Sequence, residues 1–247
     1  MLPYYLAQKL KNIDIYDLKQ LHDCDPIKVF QWLKYIYRSI GYNVLFDLYS
    51  ITTQDPFPTK EKQAELIKLY HGSLPSYPSP PLDTTNYFLN KAVAESTKAK
   101  NIGEIPIGAV IVREKEHWGK KVEDFEIIGQ GHNLTISNND ICAHAEIQAL
   151  QNAGQNINNH RLHNCDLYVT IEPCLMCMGA ILHSRIRRVI YGAIEPKTGA
   201  IISQYQILNN KNVNHQTEAI GPINNNLYGE ILTKFMQQKR KLASYKE

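Results

Sequence analysis

The chain has 247 residues, of which 43% are hydrophobic and 21% are charged, and its mean hydropathy is −0.35. This length allows one domain of catalytic size and a small second module. The sequence has no apolar run of about 18 residues and no apolar stretch near its start, which argues against a membrane span and a signal peptide and predicts a cytoplasmic protein. Its five cysteines are few for a chain of this length and odd in number, which argues against a disulfide scaffold. We therefore expect them to be thiols or metal ligands.

The net charge of +3 is small but unevenly distributed. Residues 1–82 carry a net charge of +1 and residues 83–233 a net charge of −2, whereas residues 234–247 carry +4. The charge of the whole chain therefore says little about nucleic-acid binding, and the basic excess lies in the C-terminal tail.

Apolar residues at helical spacing predict a small all-helical module over residues 1–71. The pattern runs from Leu18 to Tyr37, with an interruption at Asp25 and Pro26 that suits a helix start, and two more helices are predicted near residues 45–49 and 64–70. Residues 72–83 read GSLPSYPSPPLD. This density of proline and serine removes amide donors and favours extended backbone, which predicts a linker.

Residues 84–247 alternate between helix and strand signals. The predicted order is a helix over 88–99, strands over 107–112 and 125–129 joined as a hairpin by a charged loop, a helix over 143–152, a strand over 167–171, a helix over 174–183, a strand over 188–191 and an amphipathic helix over 227–236. Strands that alternate with helices predict an α/β fold with a sheet covered on both faces.

Two motifs in this part of the chain carry candidate metal ligands. CAHAEIQAL contains His144 and Glu146, and thirty residues after the histidine IEPCLMCMGA contains Cys174 and Cys177. Zinc prefers histidine nitrogen and cysteine sulfur, and three protein ligands leave the fourth tetrahedral position open for water. With Pro173 at the first helical position, both sulfurs would lie at a helix N-terminus, whose dipole favours thiolates. Glu146 would point away from the histidine and could relay protons.

A Cys-x-x-Cys pair alone is also typical of a redox pair or of half a structural zinc site. A structural site lacks its fourth ligand here, and a redox pair leaves the His-Ala-Glu segment unexplained. His-Ala-Glu followed by Pro-Cys-x-x-Cys is the signature of the zinc-dependent nucleobase deaminases. The pattern therefore favours a catalytic zinc site.

Beyond the zinc motif, the chain resembles the bacterial tRNA-specific adenosine deaminases of the zinc cytidine and deoxycytidylate deaminase superfamily. The similar blocks are GEIPIGAVIV, GHN, AHAEIQAL, LYVTIEPCLMCMGAILHSRIRRVIYGA and PKTGA, within roughly residues 86–243. HSRI followed by RRVIYGA separates this family from free-nucleoside, guanine and riboflavin-pathway deaminases. The resemblance implies a cytidine-deaminase-like three-layer αβα sandwich, a homodimer with one zinc ion per subunit, and hydrolysis of adenosine to inosine at the wobble position (34) of a tRNA anticodon.

The resemblance also assigns roles by position. His144, Cys174 and Cys177 would bind the zinc. Glu146 would be the proton shuttle, and Asn133 of GHN would hydrogen-bond the purine. In the mechanism that this resemblance implies, zinc would lower the pKa of a bound water. Glu146 would take a proton from that water and pass it to a ring nitrogen, and the resulting hydroxide would attack C6 with loss of ammonia. The backbone amide of Cys174 would stabilise the charge that develops on oxygen.

Three positions depart from the family pattern. Glu195 of GAIEPKTGA stands where the family commonly has a substrate-contacting aspartate, so the charge is kept but displaced. Ile141 and Cys142 stand where proline and threonine or serine are usual. A fourth ligand at Cys142 would block the water position, so we expect a packed thiol there. Cys24 and Cys165 are expected to be buried thiols.

The basic tail places Phe235 among cationic residues. An aromatic ring beside basic side chains suits base stacking and phosphate contact, and the resemblance favours contact with the tRNA anticodon stem-loop. A solvated basic face on a terminal helix is the alternative interpretation. The cationic residues are Lys234, Lys239, Arg240 and Lys241.

The N-terminal module supports two interpretations. IDIYDLKQLHDCDPIKVFQWLKY and PTKEKQAELIKLY resemble the C-terminal helical domain of TfoX-type competence regulators, a helix-hairpin-helix-like unit. The module would either dock RNA or a partner, or stabilise the protein by packing.

For the whole protein, a deaminase of a free nucleobase or nucleotide and a zinc-containing scaffold subunit are the rival hypotheses. A deaminase of free bases needs no basic tail. The presence of Glu146 argues against a scaffold.

Overall fold

The computed structural model describes residues 3–115 and 119–244, with side chains as far as residue 240. It divides the chain into two compact units, residues 1–79 and residues 80–247. Within the described ranges, no helix combines the length and the apolar character that a membrane span requires.

The N-terminal unit is built from helices, and its described residues contain no strand. Asp17, Asp25 and Thr59 each cap a helix by accepting a hydrogen bond from a backbone amide in the first turn. The core is aliphatic and aromatic, with Leu10 and Phe30 among its fully buried side chains. The helices are α1 (Tyr4–Lys11), α2 (Leu18–His22), α3 (Pro26–Ile36), α4 (Tyr42–Thr53) and α5 (Lys60–Gly72).

The predicted helical module is therefore confirmed, with the helix start at Pro26 where the sequence placed it. Helix α1 was not predicted, because only Leu6 and Leu10 of its eight residues are buried and two apolar positions make no pattern.

The first half of the predicted linker lies against α3. The side-chain amide of Gln31 donates to Ser73 Oγ at 2.9 Å and to the Leu74 carbonyl at 3.0 Å. The indole of Trp32 donates to Ser76 Oγ at 2.9 Å. These bonds tie residues 73–76 to the helical unit, so this stretch is an ordered part of that unit.

The second unit contains a five-stranded sheet in the order β2-β1-β3-β4-β5. Strand β1 is antiparallel to β2 and β3, whereas β3, β4 and β5 are parallel to one another. The elements are α6 (Leu82–Asn101), β1 (Gly108–Glu114), β2 (Phe125–His132), α7 (Ala145–Asn156), β3 (Cys165–Ile171), α8 (Leu175–His183), β4 (Arg188–Ala193), β5 (Glu218–Ile220) and α9 (Asn225–Ser244).

Side chains that alternate along the strands separate the two faces of this sheet. Ala109 and Ile111 of β1 pack in one core with residues of α7 and α8, whereas Val110 and Val112 pack in another with residues of α6 and α9. Helices therefore cover both faces, and the predicted three-layer αβα sandwich is confirmed. Helix α7 lies very close to β2, because a Cβ on Gly131 would be 2.4 Å from the Ala145 carbonyl oxygen.

Element boundaries differ from the predictions by a few residues. The predicted strands extend further, and α7 begins at Ala145 rather than at residue 143. Strand β5 was missed because it has three residues, all only half-buried, and so shows no apolar alternation. The hairpin of β1 and β2 is confirmed, although residues 116–118 of its charged loop lie outside the described part.

Candidate active site

Three side chains from two helix N-termini converge at one point. His144 is the N-cap residue of α7, Cys174 is the N-cap residue of α8, and Cys177 lies in the first turn of α8. His144 Nδ1 lies 3.8 Å from Cys174 Sγ and 3.6 Å from Cys177 Sγ, and the three ligand atoms all lie within 4.8 Å of one another. The packing of α7 and α8 on the same sheet face brings together residues about thirty positions apart.

The sequence predicted Pro173 as the first residue of the helix, and this prediction is wrong. The backbone of Cys174 is extended, with φ −74° and ψ 172°, so Cys174 caps the helix and α8 begins at Leu175. Both sulfurs nonetheless lie at the positive end of the helix dipole, where a thiolate is favoured.

The three donors fit a tetrahedral zinc ion. Zinc–sulfur bonds of about 2.3 Å and zinc–nitrogen bonds of about 2.0 Å separate neighbouring donors by about 3.5 to 3.8 Å. The observed separations from His144 Nδ1 are 3.6 and 3.8 Å. A set of two sulfurs and one imidazole nitrogen is typical of catalytic zinc, because it leaves one position open.

The remaining cysteines lie outside this cluster. Cys142 is exposed and does not belong to the metal-binding group found among the described residues, so it is not the packed thiol that we expected. Its amide donates to Asp140 Oδ1 at 2.8 Å in a turn that faces solvent. Cys165 is buried as predicted, whereas Cys24 is only half-buried.

Mutual contacts set the charges of the ligating groups. A hydrogen bond from Cys177 and the facing imidazole of His144 outweigh burial and lower the pKa of Cys174 to about 4. The hydrogen bond to Cys174, together with burial, raises the pKa of Cys177. The contact with Cys174 raises the pKa of His144. The Cys174 thiol therefore ionises readily, which provides an anionic ligand for a cation.

Glu146 lies beside the ligands in the first turn of α7 and is 3% exposed. Burial is the main reason that the pKa of its carboxyl is raised to about 7, and the negative charge of Cys174 raises it further. The carboxyl also contacts the Cys177 thiol through a hydrogen bond. A buried carboxyl that titrates near neutrality beside a metal-binding cluster is suited to proton transfer.

Asn133 is buried at the C-terminal end of β2. Its side-chain oxygen accepts a hydrogen bond from the Ala145 amide at 2.9 Å. The side chain thus holds the start of α7, which carries both His144 and Glu146. With the oxygen engaged in this bond, the amino group is the part of this side chain suited to donating to a substrate.

Two buried carboxylates that sequence reasoning missed organise the loops beside the site. Glu172 accepts hydrogen bonds from the backbone of residues 195 and 201–203, and Glu104 accepts them from the Ser137 amide at 2.6 Å and the Thr135 hydroxyl at 3.2 Å. Both lie within blocks that carry the family resemblance, at IEPC and GEIP. An acidic residue inside an otherwise apolar run was the available signal.

Glu195 lies half-buried on the loop that Glu172 holds. Its Oε1 atom accepts a hydrogen bond from the Lys197 amide at 3.0 Å. The carboxylate therefore stabilises a local turn, in addition to any contact that it makes with a substrate.

Exposed apolar side chains lie next to the candidate ligands along the chain. Ile141, Leu175 and Met176 have exposed fractions of 85%, 44% and 36%. Ile141 thus places a solvent-exposed apolar side chain three residues before His144.

The C-terminal helix differs from the prediction at its aromatic residue. Phe235 is 6% exposed, so its ring is part of the packed interior and cannot stack on a base. Lys239 lies over that ring with Nζ 5.4 Å from the centroid. Lys239 and Arg240 are exposed, whereas the side chain of Lys241 lies outside the described part of the structure.

Comparisons with known proteins agree with this geometry. The family described as "Cytidine and deoxycytidylate deaminase zinc-binding region" matches residues 82–193. A tRNA-specific adenosine deaminase of Haemophilus influenzae is 44% identical over 149 residues, which cover 60% of this chain and 81% of that protein. The Aquifex aeolicus protein of the same name is 39% identical over 53% of this chain and 81% of its own length.

A solved structure shares the fold. It comes from a study of A-to-I editing by tRNA:A34 deaminases at the wobble position of transfer RNA. It is 35% identical and matches with a TM-score of 0.53, covering 59% of this chain and 99% of its own.

Proposed function

Because this chain belongs to the family of tRNA-specific adenosine deaminases, we propose that it hydrolyses adenosine at the wobble position of a tRNA anticodon to inosine and releases ammonia. The observation that carries the proposal is the position of Glu146, a buried carboxyl in contact with a cluster of two cysteines and one histidine. That combination of a proton-transfer group and a metal-binding group is what hydrolytic deamination of a base requires.

His144, Cys174 and Cys177 would hold the zinc ion. When bound, zinc would act as a Lewis acid that lowers the pKa of a water molecule. The exposed start of α8 beside Cys174 leaves a route for a base to approach, and the Cys174 amide would donate to an oxygen that gains negative charge.

Glu146 would move the protons. With a pKa of about 7, its carboxyl can both accept and release a proton near neutral pH. It would accept one from the attacking water and deliver it to a ring nitrogen of the adenine. Its backbone is fixed in the first turn of α7, which is held by the hydrogen bond that the Ala145 amide donates to Asn133 Oδ1.

The substrate is a base in a loop rather than in a duplex. Extruding a base from a stack costs a few kcal/mol and costs least where the base is unpaired, which favours an anticodon loop. The Asn133 amino group would donate to an acceptor on the purine, and Glu195 would contact the neighbouring nucleotide. Lys239 and Arg240 on α9, with Lys241, would contact phosphates without reading the base.

The direct experiment is incubation of the purified protein with an A34 tRNA transcript, with the same tRNA carrying G34 as the matched control. We expect inosine at position 34 of the first and no product from the second, measured by nucleoside mass spectrometry after digestion. Adenosine, guanine and cytidine are tested in parallel. Turnover of one of these free compounds with an unchanged tRNA would show instead that the protein is a deaminase of small substrates.

We also propose a homodimer. An open groove of about 630 Å³ runs between α7 and α8, with Ile147, Leu150 and Ala180 among its apolar lining residues. These two helices carry the metal-binding cluster, so a second copy packed here would help to enclose the site. Light scattering should give twice the mass of the chain, and Leu150→Glu should shift the mass toward that of the monomer. A cytoplasmic location is part of the same proposal, because the substrate is a tRNA.

The domain organisation remains a proposal as well. Residues 1–71 would form an accessory module, residues 72–83 a connection, and residues 84–247 the deaminase. Docking of RNA or a partner and a stabilising role by packing are both compatible with the helical fold and the TfoX-like pattern. These two roles can be separated with a protein that lacks the module, by comparing its activity on full-length tRNA and on an isolated anticodon stem-loop. A loss confined to full-length tRNA would favour docking.

A further inference from the structure

Glu172 gathers one loop around its carboxylate. It lies between the end of β3 and Cys174 and is 1% exposed. Its Oε1 atom accepts hydrogen bonds from the amides of Ile201, Ile202 and Ser203 at 2.8, 2.7 and 3.0 Å. Its Oε2 atom accepts one from the Glu195 amide at 3.1 Å and another from the Ser203 hydroxyl.

The charge of this carboxylate is balanced by backbone dipoles. No ion pair to Glu172 occurs within the described ranges, so its partners are four N–H groups and one hydroxyl. Burial opposes ionisation, but these hydrogen bonds outweigh it and hold the pKa of the carboxyl below its ordinary value. Concave groups of successive amides are anion-binding sites, and here the anion is the protein's own side chain.

The loop of residues 195–203 fits closely around Glu172. A Cβ on Gly199 would lie 2.3 Å from Oε2 of Glu172 and 2.6 Å from the Glu195 carbonyl oxygen, so only glycine fits at that position. The Ala200 amide donates to the Pro173 carbonyl at 2.9 Å, and Gly199 pairs with Cys174 in an isolated β-bridge. The loop is therefore joined to the turn that carries a candidate zinc ligand.

The outer side of the loop is open to solvent beside that ligand. Pro196, Lys197, Thr198 and Ile202 are exposed, whereas Gly199 is buried. The inner side is thus used for attachment to Glu172. The outer side presents a cation and an apolar side chain on a loop that is bridged to Cys174 through Gly199. A surface of this kind suits the backbone and bases of a nucleic-acid loop.

We propose that Glu172 is a positioning residue that holds the 195–203 loop in the conformation that receives the substrate RNA. The inference rests on the proposed tRNA deamination. His144 and Glu146 are held by α7 and by Asn133, independently of this carboxylate. Release of the loop would therefore weaken substrate binding, because the loop must be ordered at each binding event, while the chemical step persists.

The test is steady-state kinetics of Glu172→Gln on an A34 anticodon stem-loop, with Glu126→Gln as the control. Glu126 is a half-exposed carboxylate that pairs with Arg113 on the hairpin, away from the loop. Glutamine keeps the size but places an NH2 group against N–H donors. We expect a KM increase of about tenfold or more, a kcat within about threefold of the original value and full zinc content, whereas the control variant should keep both constants.

Hydrogen exchange supplies a second readout that a general loss of stability would not produce. The amides of Ile201, Ile202 and Ser203 should exchange faster in Glu172→Gln, while the amides of β3 stay protected. Gly199→Ala should give the same kinetic change, and the KM increases of the two substitutions should not multiply in the double variant, since both disturb one contact.

Several results would overturn the inference. Unchanged KM in Glu172→Gln would show that the loop does not depend on the carboxylate, and loss of zinc with a lower kcat would show that Glu172 supports the ligands instead. If that variant does not fold, Ser203→Ala removes one donor and must still raise KM. Absence of inosine with the unmodified protein would contradict the proposed function itself, which is a separate result.

Discussion

Glu146 is buried, with 3% of its surface exposed, and its carboxyl shares a hydrogen bond with Cys177, one of the metal-binding groups. Glu146→Ala should leave zinc content and thermal stability near those of the unmodified protein, because the carboxylate handles protons and is not a ligand. General acid–base catalysis typically supplies a factor of about 10² to 10⁴, so activity on A34 tRNA should fall by at least about 10². Elemental analysis and single-turnover kinetics measure both quantities. Full zinc content with a loss below about tenfold would contradict the role assigned to Glu146.

Cys177 should behave differently, because it would be a ligand. Cys177→Ser replaces a thiolate by a poor zinc ligand, so we expect loss of zinc and a lower Tm together, since metal binding contributes to folding. Cys142→Ser is the matched control, since that thiol is exposed and outside the cluster. A Cys177→Ser protein that keeps its zinc and its Tm would exclude Cys177 as a ligand.

Glu104 links stability to pH. Burial favours its neutral form, but hydrogen bonds from Ser137, Ile136 and Thr135 outweigh burial and lower its pKa from the ordinary value of 4.5. A carboxyl whose pKa is lower in the folded state stabilises that state above its unfolded pKa, and this contribution disappears as the pH falls through the folded value.

We therefore expect Glu104→Gln to lower the Tm at pH 7, and the difference from the unmodified protein to shrink as the pH falls below about 4.5. Calorimetry of both proteins with a zinc chelator present measures this difference without a contribution from metal release. A difference that stays constant from pH 7 to pH 3.5 would show that the charge of Glu104 does not stabilise the fold.

Among the secondary-structure elements, α9 has a buried face and a solvent-exposed face. Phe235 is packed inside, while Lys239 and Arg240 face solvent. The helix can therefore attract RNA by charge, but the aromatic stacking that the sequence suggested is excluded by burial. The cation–π contact between Lys239 and Phe235 shows that the aliphatic part of the lysine also covers the core.

Replacing Lys239, Arg240 and Lys241 by alanine should weaken tRNA binding with little change in kcat, because phosphate contacts position the RNA without touching the reacting base. Each lost contact with single-stranded backbone should lower the slope of log K against log salt by about 0.7, so three should lower it by about 2. Binding titrations at four salt concentrations measure the slope. An unchanged slope with a lower kcat would indicate that α9 acts only through packing.

For the whole molecule, the two compact units predict that the deaminase can be separated from the helical module. Truncation to residues 80–247, at the boundary between the units, should leave a folded protein that retains zinc and its kcat on an anticodon stem-loop. A change confined to full-length tRNA would favour the docking role of the module. Loss of kcat on the stem-loop would show that the deaminase needs the module for its own stability.

The sequence alone determined the chemistry and the general architecture. Strand signals that alternate with helix signals specify a sheet covered on both faces. The largely apolar runs of β1 and β3 agree with this, because successive strand side chains point to opposite sides of the sheet. The spacing of His144, Cys174 and Cys177 predicts a three-ligand zinc site, since few residue types bind zinc and few spacings bring them together. These features depend on local periodicity and residue chemistry, which can be read without coordinates.

The tertiary structure decided what depends on contacts between distant residues. The burial of Phe235, the exposure of Cys142 and the extended backbone of Cys174 are set by the packing of whole helices, and no local pattern encodes them. Glu172 and the 195–203 loop meet across more than twenty residues, so the carboxylate and its amide donors could be recognised only together. Long-range packing thus fixes which side chains reach the site, because burial and hydrogen bonding are properties of the folded chain.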